Sequence, residues 1–182
     1  MTGDAVTRLV DDDQVRRTVA RIAHEILERH ADPTEIALVG IRTRGVPLAA
    51  RLADLIEEFS GSRPDLGSVD IALYRDDVGA GMLPVVGETQ LPFPVSERTV
   101  VLVDDVLYTG RTIRAAIDAV FDYGRPPRVQ LAVLVDRGHR ELPIRPDFVG
   151  RNLPTAPEDR VRVRLAETDG VDEILLFSKE RP

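Results

Sequence analysis

The chain has 182 residues, enough for one substantial hydrophobic core, and no Pro/Gly/Ser-rich linker divides it. It contains no cysteine, which excludes disulfides, thiolate nucleophiles and Cys-type zinc sites; its one lysine, Lys179, lies in the tail, which excludes Walker-type phosphate loops and Schiff-base catalysis. The net charge of −7 argues against binding nucleic acid over the whole surface, although Arg125 to Arg164 holds nine arginines against five acids and leaves a local basic face open.

No apolar run approaches the roughly 20 residues of a membrane span, and the N-terminus has no signal-peptide pattern, so a soluble cytoplasmic chain is expected. Residues 12–30 predict an amphipathic helix, with Val15, Val19, Ile22 and Ile26 at helical spacing and Asp11 to Asp13 at the end where the helix dipole favours acids. Arg17, Arg21 and His24 form a second row on another face, and Arg29 lies near the end, where Asp32 and Pro33 stop the helix. Ile36 to Gly40 reads as a short apolar strand, followed by IRTRG and a helix from about Val46 to Phe59, with Pro47 suited to its first turn. Thr43, Arg44 and Gly45 thus occupy a strand-to-helix loop that offers N–H groups, a hydroxyl and a cationic fork to an anion.

Val69 to Tyr74 predicts a third sheet element, leading to Arg75, Asp76 and Asp77. From Val78 to Arg98 no periodicity is sustained, and a mobile binding loop is expected there. Val100 to Val103 is a continuous apolar run suited to a strand buried on both faces, with Asp104 and Asp105 expected at its end. Thr109, Gly110, Arg111 and Thr112 then lead into a helix whose apolar stripe includes Ile113, Ala116 and Val120. Val129 to Val135 is a further strand, and Val161 to Leu165 and Glu173 to Phe177 are short strand candidates.

The alternation points to an α/β fold with a parallel sheet and right-handed crossovers. In such sheets ligands collect beyond the carboxyl ends of the strands where the winding reverses, so neighbouring strands at Ile36 and Val100 would open both anion loops into one crevice. A loop entering a helix suits a phosphate, while the adjacent carboxylates suit sugar hydroxyls or a bound cation. A sugar with phosphate at one position and polyphosphate at another satisfies both loops, and phosphoribosyl pyrophosphate has that shape.

VVLVDDVLYTGRT resembles the phosphoribosyl-pyrophosphate signature of type I phosphoribosyltransferases. More narrowly, GIRTRG, LYRDD, VDDVLYTGRT, LAVLVDRGHRELPIR and NLPT resemble the PyrR family of pyrimidine-operon attenuators with uracil phosphoribosyltransferase activity. The resemblance implies one phosphoribosyltransferase domain over residues 1–182, with a flexible loop at about 75–99 and a hood with C-terminal strands at about 136–178. It implies that Asp104 and Asp105 hold the ribose hydroxyls, that Val106, Leu107, Tyr108, Thr109, Gly110, Arg111 and Thr112 wrap the 5-phosphate, and that Thr43 and Arg44 contact pyrophosphate. It further implies that Gly45 permits an unusual backbone turn, that Arg75 adds charge when the loop closes, and that Asp136 to Gly138, including Arg137, and Val161 form the uracil pocket. Asp104, Asp105, Arg44 and Arg75 are then the catalytic set, with Mg²⁺ held mainly by the substrate and no direct protein site beyond the acid pair.

The partners implied are uracil, phosphoribosyl pyrophosphate, uridine nucleotides (UMP and UTP) and the leader mRNA of pyrimidine genes, in a homodimer or homotetramer with no membrane role. Arg17, Arg21, His24, Arg29, His139, Arg140 and Arg145 are the candidate RNA-contacting set, since arginine suits phosphate forks and base edges. Two other readings stay open: transfer to another nucleobase with no RNA role, and a nucleotide-sensing RNA binder with little catalysis.

Overall fold

The computed structural model describes residues 4–74 and 87–179. The chain opens with strand β1 (Asp4–Val10) and helix α1 (Asp12–Arg29). Asp11 accepts the Gln14 N–H while the Gln14 side chain accepts the Asp11 N–H, a capping box that fixes where α1 starts. Strand β2 (Ile36–Ile41) is buried along its whole length, as a central parallel strand must be, and helix α2 (Gly45–Ser60) follows. Strand β3 (Asp65–Val69) precedes β4 (Thr99–Leu107), helix α3 (Arg111–Phe121) and β5 (Arg128–Asp136). Strands β6 (Phe148–Asn152) and β7 (Arg160–Arg164), the one-turn helix α4 (Ala166–Asp169) and β8 (Glu173–Lys179) complete the chain.

The five strands β3-β2-β4-β5-β6 form one parallel sheet, and β1-β8-β7 form a separate antiparallel sheet. Val101 and Val103 pack with α1 and α2 on one face of the parallel sheet, and Val100 and Leu102 with α3 on the other. The winding reverses between β2 and β4, which run side by side from Ile36 opposite Thr99 to Gly40 opposite Val103. The crevice expected from the sequence is therefore at the ends of these two strands.

Several local expectations are corrected. The third sheet element is Asp65–Val69, not Val69 to Tyr74: after Val69 the Asp70 carboxylate accepts the Ala72 N–H at 2.8 Å and Tyr74 N–H bonds to the Ile71 carbonyl, which bends the chain into turns. The true strand, DLGSV, has little β propensity and is held by pairing with β2. Strand β4 does not end at Val103 but runs through the acid pair, with Asp104 opposite Val133 and Leu107 opposite Asp136. Strands β1 and β6 were not expected. The first is defined by pairing with β8 at the far end of the chain, and the second is a five-residue edge strand interrupted by Gly150. The expected loop at Val78 to Arg98 lies outside the described residues as far as residue 86. Beyond that, Gln90 pairs with Ser68 and a 3₁₀ turn at Val95–Glu97 leads into β4.

Candidate functional site

The β2–α2 loop is pressed against β4. A Cβ on Gly45 would lie 2.2 Å from the Val103 carbonyl oxygen, so only glycine lets the start of α2 approach this closely. Gly45 is the first residue of α2 and allows this close approach, and the Arg42–Thr43 peptide bond of the same loop is cis. Thr43 is exposed. Arg44 is half-buried and donates from Nε and Nη2 to the two carboxylate oxygens of Asp169, at 3.0 and 2.8 Å. The negative charge of Asp105 also acts on Arg44, which places the loop beside the acid pair.

On the neighbouring strand Asp104 is buried and Asp105 half-buried. Asp104 Oδ1 accepts the Asp105 N–H at 2.9 Å, and Asp105 Oδ1 accepts the Val106 N–H at 2.8 Å. Burial, and next the charge of Asp105, push the Asp104 carboxyl well above its usual range. The folded chain therefore favours the protonated form, so the stability this proton provides is complete below the ordinary carboxylate value and is lost as pH rises toward the elevated one. Asp104→Asn keeps the acceptor and removes the ionisation. We expect the variant to melt higher than the parent at pH 7 and at the same temperature near pH 4, each kcal/mol of relief being worth about 2–4 °C in a chain of this size. Melting curves across that range check the sign.

Beyond the acids, Val106 is half-buried, Leu107 is buried in the core on the α3 side, and Tyr108 is exposed. Gly110 has φ of 94°, a left-handed turn that suits glycine, and it caps α3 without a side chain. Gly110 therefore gives the first turn of α3 no side-chain cap, and Thr109, Gly110, Arg111 and Thr112 lie at a helix N-terminus of the kind that suits an anion. Thr109 Oγ1 accepts the Arg111 N–H, and the Thr109 carbonyl accepts the N–H groups of Glu141 and Leu142 at 2.9 and 3.1 Å. Arg111 also pairs with the Glu141 carboxylate at 2.7 Å, so the segment after β5 braces this loop.

That segment carries the base-side candidates. Arg137 is 6% exposed, its guanidinium lies 4.1 Å from the Tyr108 ring centroid, and Nη2 reaches the Ala156 carbonyl at 3.3 Å. Among the described residues its buried Nε has no hydrogen-bond partner, so the desolvation of that donor is uncompensated by them. Val161 lies on β7, half-buried and packed against the α1–α2 core. Arg75 lies outside the described residues.

The basic set divides in two. On α1, Arg17 is exposed, Arg21 reaches the Val149 and Gly150 carbonyls, His24 stacks on Phe59 with ring centroids 4.1 Å apart, and Arg29 lies over Phe148 and 3.4 Å from Asp147. After β5, Arg145 is exposed and His139 Nε2 lies 2.7 Å from the Thr155 carbonyl. Arg140 is committed to internal partners: Asp136 at 2.6 Å, the Ile144 carbonyl at 2.8 Å and the Tyr108 carbonyl at 2.9 Å. Burial pushes the Asp136 carboxyl up, but Arg140 and the Gly138 N–H outweigh it and hold the group below its usual range.

Sequence reasoning gave no role to Asp169, Glu141 and Ala156; Glu141 lies inside the block LAVLVDRGHRELPIR, whereas Asp169 and Ala156 lie outside the blocks that carry the resemblance. Among the described residues no group of three or more His, Asp or Glu is placed to hold a metal ion. The acid pair fits a divalent ion that takes most of its ligands from substrate and water, because Mg²⁺ needs only one or two carboxylates. Among the described residues no helix is long and apolar enough to cross a membrane.

A family model described as the phosphoribosyl transferase domain matches residues 5–167. The bifunctional protein PyrR of Roseiflexus sp. (strain RS-1) is 60% identical over 171 residues, 93% of each chain. That of Deinococcus radiodurans is 54% identical over 181 residues, 99% of this chain and 98% of the relative. A solved hypoxanthine phosphoribosyl transferase of Trypanosoma cruzi matches with a TM-score of 0.71 at 17% identity, covering 94% of this chain and 90% of that one, a likeness of fold.

Proposed function

This chain belongs to the PyrR family of phosphoribosyl transferases, and from that premise we propose how its site divides the work. It is a bifunctional protein that transfers phosphoribosyl from phosphoribosyl pyrophosphate to uracil, giving UMP and pyrophosphate, and regulates pyrimidine genes through their leader RNA. The observation that supports the catalytic reading is that β2 and β4 are parallel neighbours whose following helices α2 and α3 both start at the same end of the sheet, with Gly45 packed on Val103 next to Asp104 and Asp105.

In this reading the N-terminus of α3, with Thr109 to Thr112, holds the 5-phosphate, and Thr43 and Arg44 hold the pyrophosphate. Asp105 and Asp104 take the ribose hydroxyls. Arg137, stacked on Tyr108, offers its unsatisfied Nε–H to a uracil carbonyl. As the C1–oxygen bond to pyrophosphate breaks and the bond to the uracil nitrogen forms, with that nitrogen's proton passing to the departing pyrophosphate, positive charge grows on the ribose ring. The chain's contribution is a carboxylate beside that charge, fixed alignment and exclusion of water. Asp104 and Asp105 would help hold a substrate-bound Mg²⁺, which would supply charge neutralisation at the leaving group.

Arg17, Arg21, His24 and Arg29 on α1, with His139 and Arg145 after β5, supply the RNA surface in this reading, and Arg140 supports it from within. Two or four copies of the chain assemble. The test combines two measurements: product formation with phosphoribosyl pyrophosphate, Mg²⁺ and uracil beside adenine, guanine, hypoxanthine and orotate, and mobility shift of its own leader transcript with and without UMP. Uracil is expected to be the preferred base and the shift to be UMP-dependent and salt-sensitive. Preference for another base would overturn the substrate, and a missing shift would remove the regulatory role.

A further inference from the structure

Helix α2 carries two arginines that face the segment after β7, Arg44 at its N-terminus and Arg51 two turns on. Arg51 is saturated by carboxylates: Glu167 accepts from Nε and Nη2 at 2.7 and 2.6 Å, and Asp172 from Nη1 and Nη2 at 2.7 and 2.8 Å. Arg164 adds a 2.7 Å pair with Glu173, and the Asp172 carboxylate accepts the Ala166 N–H at 2.7 Å. The turn at residues 165–169 is therefore docked on α2 without any help from Arg44.

Asp169 is spent differently. Its Oδ2 accepts the Leu165 N–H at 3.0 Å, which locks the carboxylate inside its own turn, and both oxygens then face the Nε and Nη2 edge of Arg44. That edge takes two of the five guanidinium N–H groups, and among the described residues Nη1 has no acceptor. A bidentate pair fixes both the position and the plane of the fork. The other carboxylate whose charge acts on Arg44 is Asp105.

We infer that Asp169 is a positioning residue for the transfer reaction: it holds Arg44 with its Nη1 edge open to the pyrophosphate group and keeps the guanidinium from collapsing onto Asp105. This rests on the assignment of Arg44 to pyrophosphate made above. Without the Asp169 charge, Arg44 turns to Asp105, which removes a cation from the leaving group and a carboxylate from the ribose at once. The hydrogen bond from Arg44 holds the Asp169 carboxyl down at about 2, so the pair is intact throughout the range in which the enzyme is assayed. Asp169 lies 125 positions from Arg44 in sequence and outside both anion loops.

Asp169→Asn is the decisive variant, because an amide oxygen still accepts the Leu165 N–H and Arg51 still docks the turn. The expected result is a rise of about tenfold in KM for phosphoribosyl pyrophosphate together with a fall in kcat, with KM for uracil and the melting temperature close to those of the parent. In an Arg44→Ala background the same substitution is expected to have no further effect on KM, whereas a purely structural role would persist there. An unchanged KM for phosphoribosyl pyrophosphate in Asp169→Asn, or a lower one that marks Asp169 as a competitor for Arg44, would overturn the inference. If Arg44→Ala alone leaves that KM unchanged, the pyrophosphate role of Arg44 fails first and the inference falls with it.

Discussion

Asp105→Asn is expected to lower kcat by about 100- to 1,000-fold, the range seen when a preorganised electrostatic partner of the transition state is removed. Of the two adjacent carboxylates, Asp104 is buried, which together with the neighbouring Asp105 charge pushes it well above its usual range, whereas Asp105 is half-buried and is the one placed beside the ribose in this reading. One Asp105 oxygen accepts the Val106 N–H at 2.8 Å, leaving the other to the ribose. Asparagine keeps the size and the acceptor for that N–H but has no charge to place beside an oxocarbenium-like ring. Substrate binding is expected to change far less than turnover, because the charge grows only in the transition state. Single-turnover formation of UMP measures the chemical step directly; a rate within about fivefold of the parent would be far short of the expected loss and would end this assignment.

The second large effect is at Arg137, where activity and stability are expected to move apart. Arg137→Met removes a guanidinium whose Nε is buried without a partner and whose described contacts are the Tyr108 ring and one long hydrogen bond to Ala156. A charge-assisted hydrogen bond is worth about 1.5–3 kcal/mol, so KM for uracil is expected to rise by about 10- to 100-fold. KM for phosphoribosyl pyrophosphate should stay within about twofold, since Arg137 belongs to the base side of the site. Methionine of similar length occupies the pocket without an uncompensated polar group, so the melting temperature is expected to hold or rise. Unchanged uracil kinetics would remove Arg137 from the base pocket, and a sharp fall in melting temperature would show that its contact with Tyr108 outweighs the cost of burying it.

The two strand-to-helix loops proposed to hold the phosphates were legible because each is written in contiguous residues. A β-branched run, a pair of acids, then threonine and glycine before an apolar helical stripe specify strand, loop and helix within about 20 positions, and the capping of α1 by Asp11 and Gln14 is equally local. The crevice followed from a general rule about parallel sheets, and β2 and β4 are indeed neighbours at the point of reversal. Less legible were the strands that depend on distant partners. The sequence DLGSV becomes β3 because β2 offers a free edge, and β1 is a strand because β8 returns to pair with it. The run from Val69 to Tyr74 looked more strand-like and lost to a local hydrogen bond from Ala72 to Asp70, a competition that periodicity does not weigh.

The sequence by itself determined the fold class, the two strand-to-helix turns and the acid pair, because these rest on backbone preferences and side-chain chemistry within a few residues of one another. Only the tertiary structure decided the protonation bias of Asp104, the uncompensated Nε of Arg137, the commitment of Arg140 to internal partners and the pairing of Arg44 with Asp169. Each of these depends on the solvent a side chain loses and on the groups that folding brings beside it from elsewhere in the chain. Burial and long-range pairing are properties of packed surfaces, and a linear pattern names the groups without saying which of them meet.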